Sequence, residues 1–302
     1  MPGGIITMTK LGRMGRFANQ LVQYMFLKTY AQQHGLRLET PRWIGQELFG
    51  LDDPPISQAL PEFVELYDKD PRRMVVPRLA EPLSNVDFCG FFQYPTRYYA
   101  PHKECIRQWF TPVPAIRQPL DEAVARLRER GRTVVGMHIR RGDYGYAYFY
   151  LTPLAWYLRW LERTWAQLDD PVLLVASDEL DSVLPALADY HPVAARNLGV
   201  GLAQAPDYPD FYLLSQADVL VIPNSTFSFV ASMLGQNLRQ AYRSHLSDPL
   251  DDPPFRRFDP WDADMLDCQA DVQRFGHIPG IAKPPPRGFW RMGWLLNRRR
   301  RV

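Results

Sequence analysis

The stretch that most constrains this chain is Thr133-Val134-Val135-Gly136-Met137 running directly into His138-Ile139-Arg140-Arg141-Gly142-Asp143-Tyr144. A short, β-branched apolar run of this kind predicts a buried parallel strand, and it stops where the polar residues begin. Open α/β sheets bind their ligands beyond the carboxyl ends of their strands. Arg140 and Arg141 at such an end, beside His138 and Asp143, therefore describe an anion site with hydrogen-bonded support. Arginine presents a planar, permanently charged fork of donors suited to phosphate, and a pyrophosphate leaving group needs such donors as its charge develops. The competing reading is structural, an Arg/Asp pair that closes a strand-to-loop turn.

Two further strands end in polar residues. Residues 171–176 form an apolar run that leads into Ser177-Asp178-Glu179. Asp178 there can accept hydrogen bonds from a ribose or a base edge, or cap the helix that follows. Val219-Leu220-Val221-Ile222 leads into Pro223-Asn224-Ser225-Thr226-Phe227-Ser228, ahead of an apolar helix predicted over residues 229–234. Hydroxyls and backbone N–H groups at a helix start make a second anion cradle.

Nearer the beginning, residues 5–9 read as a strand. A glycine-bearing turn follows, Gly12 to Gln20, and then a helix in which Leu21, Val22, Met25, Phe26 and Tyr30 form an apolar stripe before Gly35 stops it. Glycines in that turn let backbone approach a phosphate, although the spacing is neither a dinucleotide fingerprint nor a P-loop, and an ordinary βα turn is the alternative. Residues 84–94 read as a strand with an aromatic end that opens onto a cleft. A helix is predicted over 120–130, ended by Gly131, and another after residue 152, with Thr152 as its cap and Pro153 in first position.

At 302 residues the chain accommodates two α/β domains of ordinary size. The expected division is residues 1–130, 131–247, and a Pro/Arg-rich extension over 248–302. A formal net charge of +2 supplies no broad electrostatic footprint for nucleic acid. Three cysteines without C-x-x-C spacing suit neither a disulfide framework nor a zinc site. The N-terminal residues lack the pattern of a signal peptide and no apolar run approaches the ~20 residues of a membrane span, so a cytoplasmic enzyme is the expectation. Trp290 and Trp294 beside Arg298, Arg299, Arg300 and Arg301 suit a peripheral contact with anionic lipid, or a solvated basic end with the tryptophans docked on the protein.

Taken together, Gly15-Arg16-Phe17-Ala18-Asn19-Gln20, the heptad 138–144, Ser177-Asp178-Glu179 and Asn224-Ser225-Thr226-Phe227-Ser228 resemble the α-1,2-fucosyltransferase family in content and order. The resemblance spans about residues 5–245. It implies an α/β, GT-B-like fold, two Rossmann-like domains facing across a cleft, and an inverting transfer of L-fucose from GDP-fucose to a glycan hydroxyl, galactose O-2 in that family. It also implies that no metal or other cofactor takes part, in keeping with the lack of clustered aspartates suited to Mg²⁺. By the family pattern Arg140 holds the β-phosphate, with Arg141 beside it, and His138 and Asp178 contact the guanosine part. Ser225, Thr226 and Ser228 complete the phosphate cradle with Asn224, and Arg16 and Asn19 approach from the first domain. Asp143 is a candidate general base, or a structural partner of the arginines. Ala18 and Phe229-Val230 depart from the family pattern, which bears on the acceptor more than on the donor. The rivals are another GDP-sugar transferase of the same architecture, acting on a protein or chitin-like acceptor, and a sugar-nucleotide-binding protein without turnover.

Overall fold

The computed structural model describes residues 3–65, 74–146, 149–246, 254–267, 275 and 278–283. The tryptophan and arginine tail, and the membrane contact expected of it, lie outside the described residues.

Two parallel sheets organise the chain. The first comprises β1 (Ile5–Thr7), β2 (Arg37–Glu39), β3 (Glu62–Val64) and β4 (Val86–Cys89), in the order β2-β1-β4-β3 with every pairing parallel. In the second, β5 (Thr133–Ile139), β6 (Pro171–Ser177), β7 (Val219–Ile222), β8 (Gln240–Ser244) and β9 (Phe255–Phe258) lie in the order β6-β5-β7-β8-β9. Only the β8–β9 pairing is antiparallel among these. The α-helices are α1 (Phe17–His34), α2 (Ile44–Phe49), α3 (Lys103–Trp109), α4 (Pro114–Arg128), α5 (Leu154–Thr164), α6 (Leu180–Val183), α7 (Tyr208–Ser215) and α8 (Thr226–Leu234).

Helix α1 shows why the two halves do not come apart. Its predicted stripe is buried, and so are Gln23, Tyr24 and Leu27 around the rest of its circumference, because α8 of the second half packs against it. Phe17 at its start meets Tyr208 and Phe211 edge-on. One apolar core consequently runs from the first sheet into one face of the second, while a second core fills that sheet's other face. Strand β5 serves both: Val135, Met137 and Ile139 point into the second core, and Val134 into the first. Alternation along a strand puts Gly136, His138 and then Arg140 on Val134's side, toward α7 and α8. A Cβ at Gly136 would come within 2.8 Å of the Leu220 side chain and 3.1 Å of Ala217, so a larger residue there would have to displace them.

Several boundaries differ from those expected. Helix α4 begins at Pro114, with Pro119 inside it, and ends at Arg128, whose cap is Glu129 rather than Gly131. The missing N–H of Pro119 costs one bond to the carbonyl four residues back, a loss offset by burial of Ile116, Leu120, Ala123 and Leu127. The helix packs on α7 and β5 of the second half. Pro153, not Thr152, caps α5. The Thr152 hydroxyl turns inward to Ser244 at 2.9 Å. The segment beyond 247 is not an appendage over its described part. It supplies β9, and Thr96 and Ala263 exchange hydrogen bonds that tie it to the first half.

Candidate active site

Each sheet has a topological switch point, where consecutive connections leave in opposite directions and a crevice opens at the carboxyl ends. In the first sheet it lies between β1 and β4, and in the second between β5 and β7. The residues that follow β1 are the Gly12 to Gln20 turn, and those that follow β5 are the arginine heptad. The connections after β4 and β7 carry Gln93 and the Asn224 to Ser228 segment. These four loops carry most of the polar residues, and Asp178, at the end of β6, adds one from beside them.

Arg140 is the best-supported side chain among them. Its guanidinium pairs with Asp143 through Nη2 and with Asp178 through Nη1 at 3.1 Å, and it lies 5.4 Å from the ring centre of Tyr144. The Asp178 carboxylate also accepts the Arg141 N–H at 2.8 Å, which closes the heptad onto the end of β6. That closure requires Gly142, since a Cβ there would stand 2.4 Å from an Asp178 oxygen. Asp143 reaches across the crevice as well, to Arg16 Nη2 at 3.2 Å. Tyr144 is buried and shares a hydrogen bond with Ser225. Burial pushes its hydroxyl up to about 12, so it stays protonated. Lys283 Nζ donates to the Gly142 carbonyl at 2.9 Å, a contact from the far end of the described chain.

His138 is fully enclosed. Its Nδ1 lies 2.8 Å from the Ser228 hydroxyl and its ring 5.2 Å from that of Phe227. Burial, and secondarily the charge of Arg140, hold its pKa down to about 3, so the imidazole is neutral over the physiological range.

The expected site residues therefore separate into two groups. Arg16, Asn19, Arg140, Asp143, Asp178, Ser225 and Thr226 come together around the crevice. Arg141, His138, Ser228 and Asn224 turn into the protein that supports it. The Arg141 guanidinium donates to the Thr152 carbonyl at 2.9 Å. Asn224 exchanges two hydrogen bonds with the backbone of Asp267, at 2.8 and 3.2 Å, and is completely buried. Asp178 does not cap α6, whose cap is Glu179; its two oxygens take the Arg140 guanidinium and the Arg141 N–H, which braces the arginine heptad. Helix α8 begins at Thr226 and not at residue 229, which places Ser228 within its first turn and explains why that hydroxyl faces His138.

Gln93 went unread in the sequence. Its Nε2 donates to Asn19 Oδ1 at 2.8 Å and to Thr226 Oγ1 at 2.9 Å. The signal available was its place at the aromatic end of the predicted strand over 84–94.

What these groups can do chemically follows from their kinds. Arg140 offers a cationic donor held by two carboxylates, the more exposed Arg16 adds a second charge, and α8 starts at the crevice with no side chain closing its first N–H groups. Such a set receives an oxyanion. No group of three or more His, Cys, Asp or Glu residues placed to hold a metal ion occurs among the described residues.

Comparison with known proteins places this architecture. The Bradyrhizobium fucosyltransferase NodZ superposes with a TM-score of 0.57 at 16% identity, covering 86% of this chain and all of that one. A variant of Arabidopsis thaliana FUT1 in complex with GDP gives 0.56 at 13% identity, covering 89% and 78%. At such identities the likeness is one of fold: α/β and GT-B-like, two Rossmann-like halves across a cleft. By sequence, galactoside alpha-(1,2)-fucosyltransferase 1 of Plecturocebus brunneus is 29% identical over 246 residues, 73% of this chain. The human protein of that name is 28% identical over 244 residues. The chain spans 63% of the length of these relatives. The profile of glycosyl transferase family 11 matches residues 83–239, and the chain belongs to that family.

Proposed function

We propose that this protein transfers L-fucose from GDP-fucose to a glycan hydroxyl with inversion, and that galactose O-2 is the position used. One observation carries the reading: Arg140 stands at the switch point of the second sheet, braced by Asp178, Asp143 and Tyr144, beside the open start of α8. Departure of GDP leaves positive character on the sugar ring and negative charge on the β-phosphate. A guanidinium already held in place meets that charge without reorganising, so the barrier falls with no proton transfer to the leaving group. The acceptor hydroxyl attacks the opposite face as the bond from C1 to the β-phosphate oxygen breaks, its proton is released to water, and GDP and an α-linked fucose result. Names of the relatives support the fucosyl donor and the galactoside acceptor. A NodZ structure soaked with GDP-fucose has the same fold at a TM-score of 0.55. Asp143 is committed to two guanidinium groups, a placement suited to orienting Arg140 rather than to taking a proton.

In this reading no metal takes part, and the guanidinium groups do the work of charge neutralisation. Purified protein assayed with GDP-, UDP- and CMP-sugars and a panel of galactosides, with and without EDTA, tests it. The expected result is fucosyl transfer from GDP-fucose, undiminished by EDTA, with NMR of the product showing an α-1,2 linkage. Preference for a UDP-sugar, or loss of activity on chelation, contradicts it.

A further inference from the structure

Gln93 lies between the two halves of the crevice and is 8% exposed. It follows β4, the strand beside β1 at the first switch point, and its side-chain nitrogen contacts one residue of each half. An amide nitrogen carries two hydrogens. Here one is given to the Asn19 carboxamide oxygen at 2.8 Å and the other to the Thr226 hydroxyl oxygen at 2.9 Å.

The direction of these two bonds has a consequence for whatever enters the crevice. The Asn19 oxygen faces the Gln93 N–H, an orientation that leaves its Nδ2 hydrogens to meet a ligand. Thr226 likewise accepts from Gln93, and its own O–H is left to donate. Asn19 sits in the first turn of α1 and Thr226 is the first residue of α8, a nine-residue helix with no side-chain cap, so both lie where backbone N–H groups also emerge. The amide of Asn19 is further confined by Gly15, at whose φ of +79° a Cβ would stand 2.9 Å from Nδ2. A ligand oxyanion therefore meets donors from both halves.

We infer that Gln93 is a positioning residue of the donor site: by donating to Asn19 and Thr226 it sets both as hydrogen-bond donors toward the diphosphate and joins the two sides of the crevice. This rests on the proposed use of a GDP-sugar. The alternative is a pin that holds the halves together with no effect on ligand polarity.

The test uses the full chain, titrated with GDP by calorimetry and assayed with GDP-fucose, in wild type, Gln93→Glu, Gln93→Leu, Asn19→Ala and the double variant Asn19→Ala/Gln93→Glu. Glutamate keeps the shape of the side chain and replaces the donor with an acceptor, so it carries the test even where leucine prevents folding. The expected result is GDP affinity lowered at least about tenfold in Gln93→Glu, the range for lost hydrogen bonds to a charged group. A melting temperature close to wild type, and a smaller further loss when Asn19 is already alanine, complete the expectation, because the two side chains act through one contact. Wild-type GDP affinity in a folded Gln93→Glu, or losses from Asn19 and Gln93 that simply multiply, overturns the inference while leaving the proposed function standing. Absence of GDP binding by the wild-type protein overturns both.

Discussion

Glu65 shows how a single buried residue makes this fold responsive to pH. It follows β3, where its carboxylate accepts from the Tyr94 hydroxyl and from the Val75 N–H at 3.2 Å. Burial raises its pKa to about 7 against the opposing effect of those hydrogen bonds. A carboxyl whose folded pKa exceeds its unfolded value stabilises fully below the unfolded value, near 4.5, and loses that contribution as pH rises through 7. His138, lowered to about 3, acts in the opposite sense between 3 and its ordinary 6.5, so the whole-protein profile mixes the two. The stability difference between Glu65→Gln and wild type isolates the carboxyl. It should move by about 3 kcal/mol in favour of glutamine from pH 4.5 to 8, as read by urea unfolding at each pH. A difference that stays flat across that range would show Glu65 to titrate normally. Legibility at this scale was uneven. The strand and the paired arginines could be read because apolar alternation and residue type are local. That Arg141, Asn224 and Ser228 turn inward could not, since their partners Thr152, Asp267 and His138 are fixed by tertiary packing.

At the level of elements, the reading held where periodicity was regular and failed where proline broke it. β7 and the stripe of α1 stand where the pattern places them. α4 starts six residues early because proline is tolerated at its first position, and a helix whose buried face is long enough absorbs a second proline. β9 was hidden by the prolines before Phe255 and by arginines at its centre, yet an antiparallel edge strand needs little apolar content when one flank faces solvent. The segment after β9 is structural. Trp261 is buried, its indole N–H donates to the Met233 carbonyl at 3.1 Å, and Lys103 and Arg107 lie over its ring at 5.7 and 6.0 Å. Trp261→Ala should cost about 3–5 kcal/mol, the range for emptying a buried tryptophan site, in denaturant unfolding. A cost under about 1 kcal/mol would mean that the segment rests on the body without supporting it.

For the whole molecule, two sheets present their switch points to one another, and polar contacts cross between the halves at Arg16–Asp143 and at Gln93–Thr226. Arg107, on α3, also donates to the Gly235 carbonyl at the end of α8, at 2.6 Å. Arg140 is where the fold, the charge and the proposed chemistry converge. Lysine in its place keeps one positive charge but loses the planar fork that meets Asp143 and Asp178 together and still faces an anion. The direct measurement is the rate of GDP release from GDP-fucose in the presence of a galactoside acceptor, for wild type and Arg140→Lys at saturating donor and matched folded concentration. The account predicts a fall in turnover of about 100-fold or more. A folded Arg140→Lys protein that releases GDP at close to the wild-type rate would contradict it.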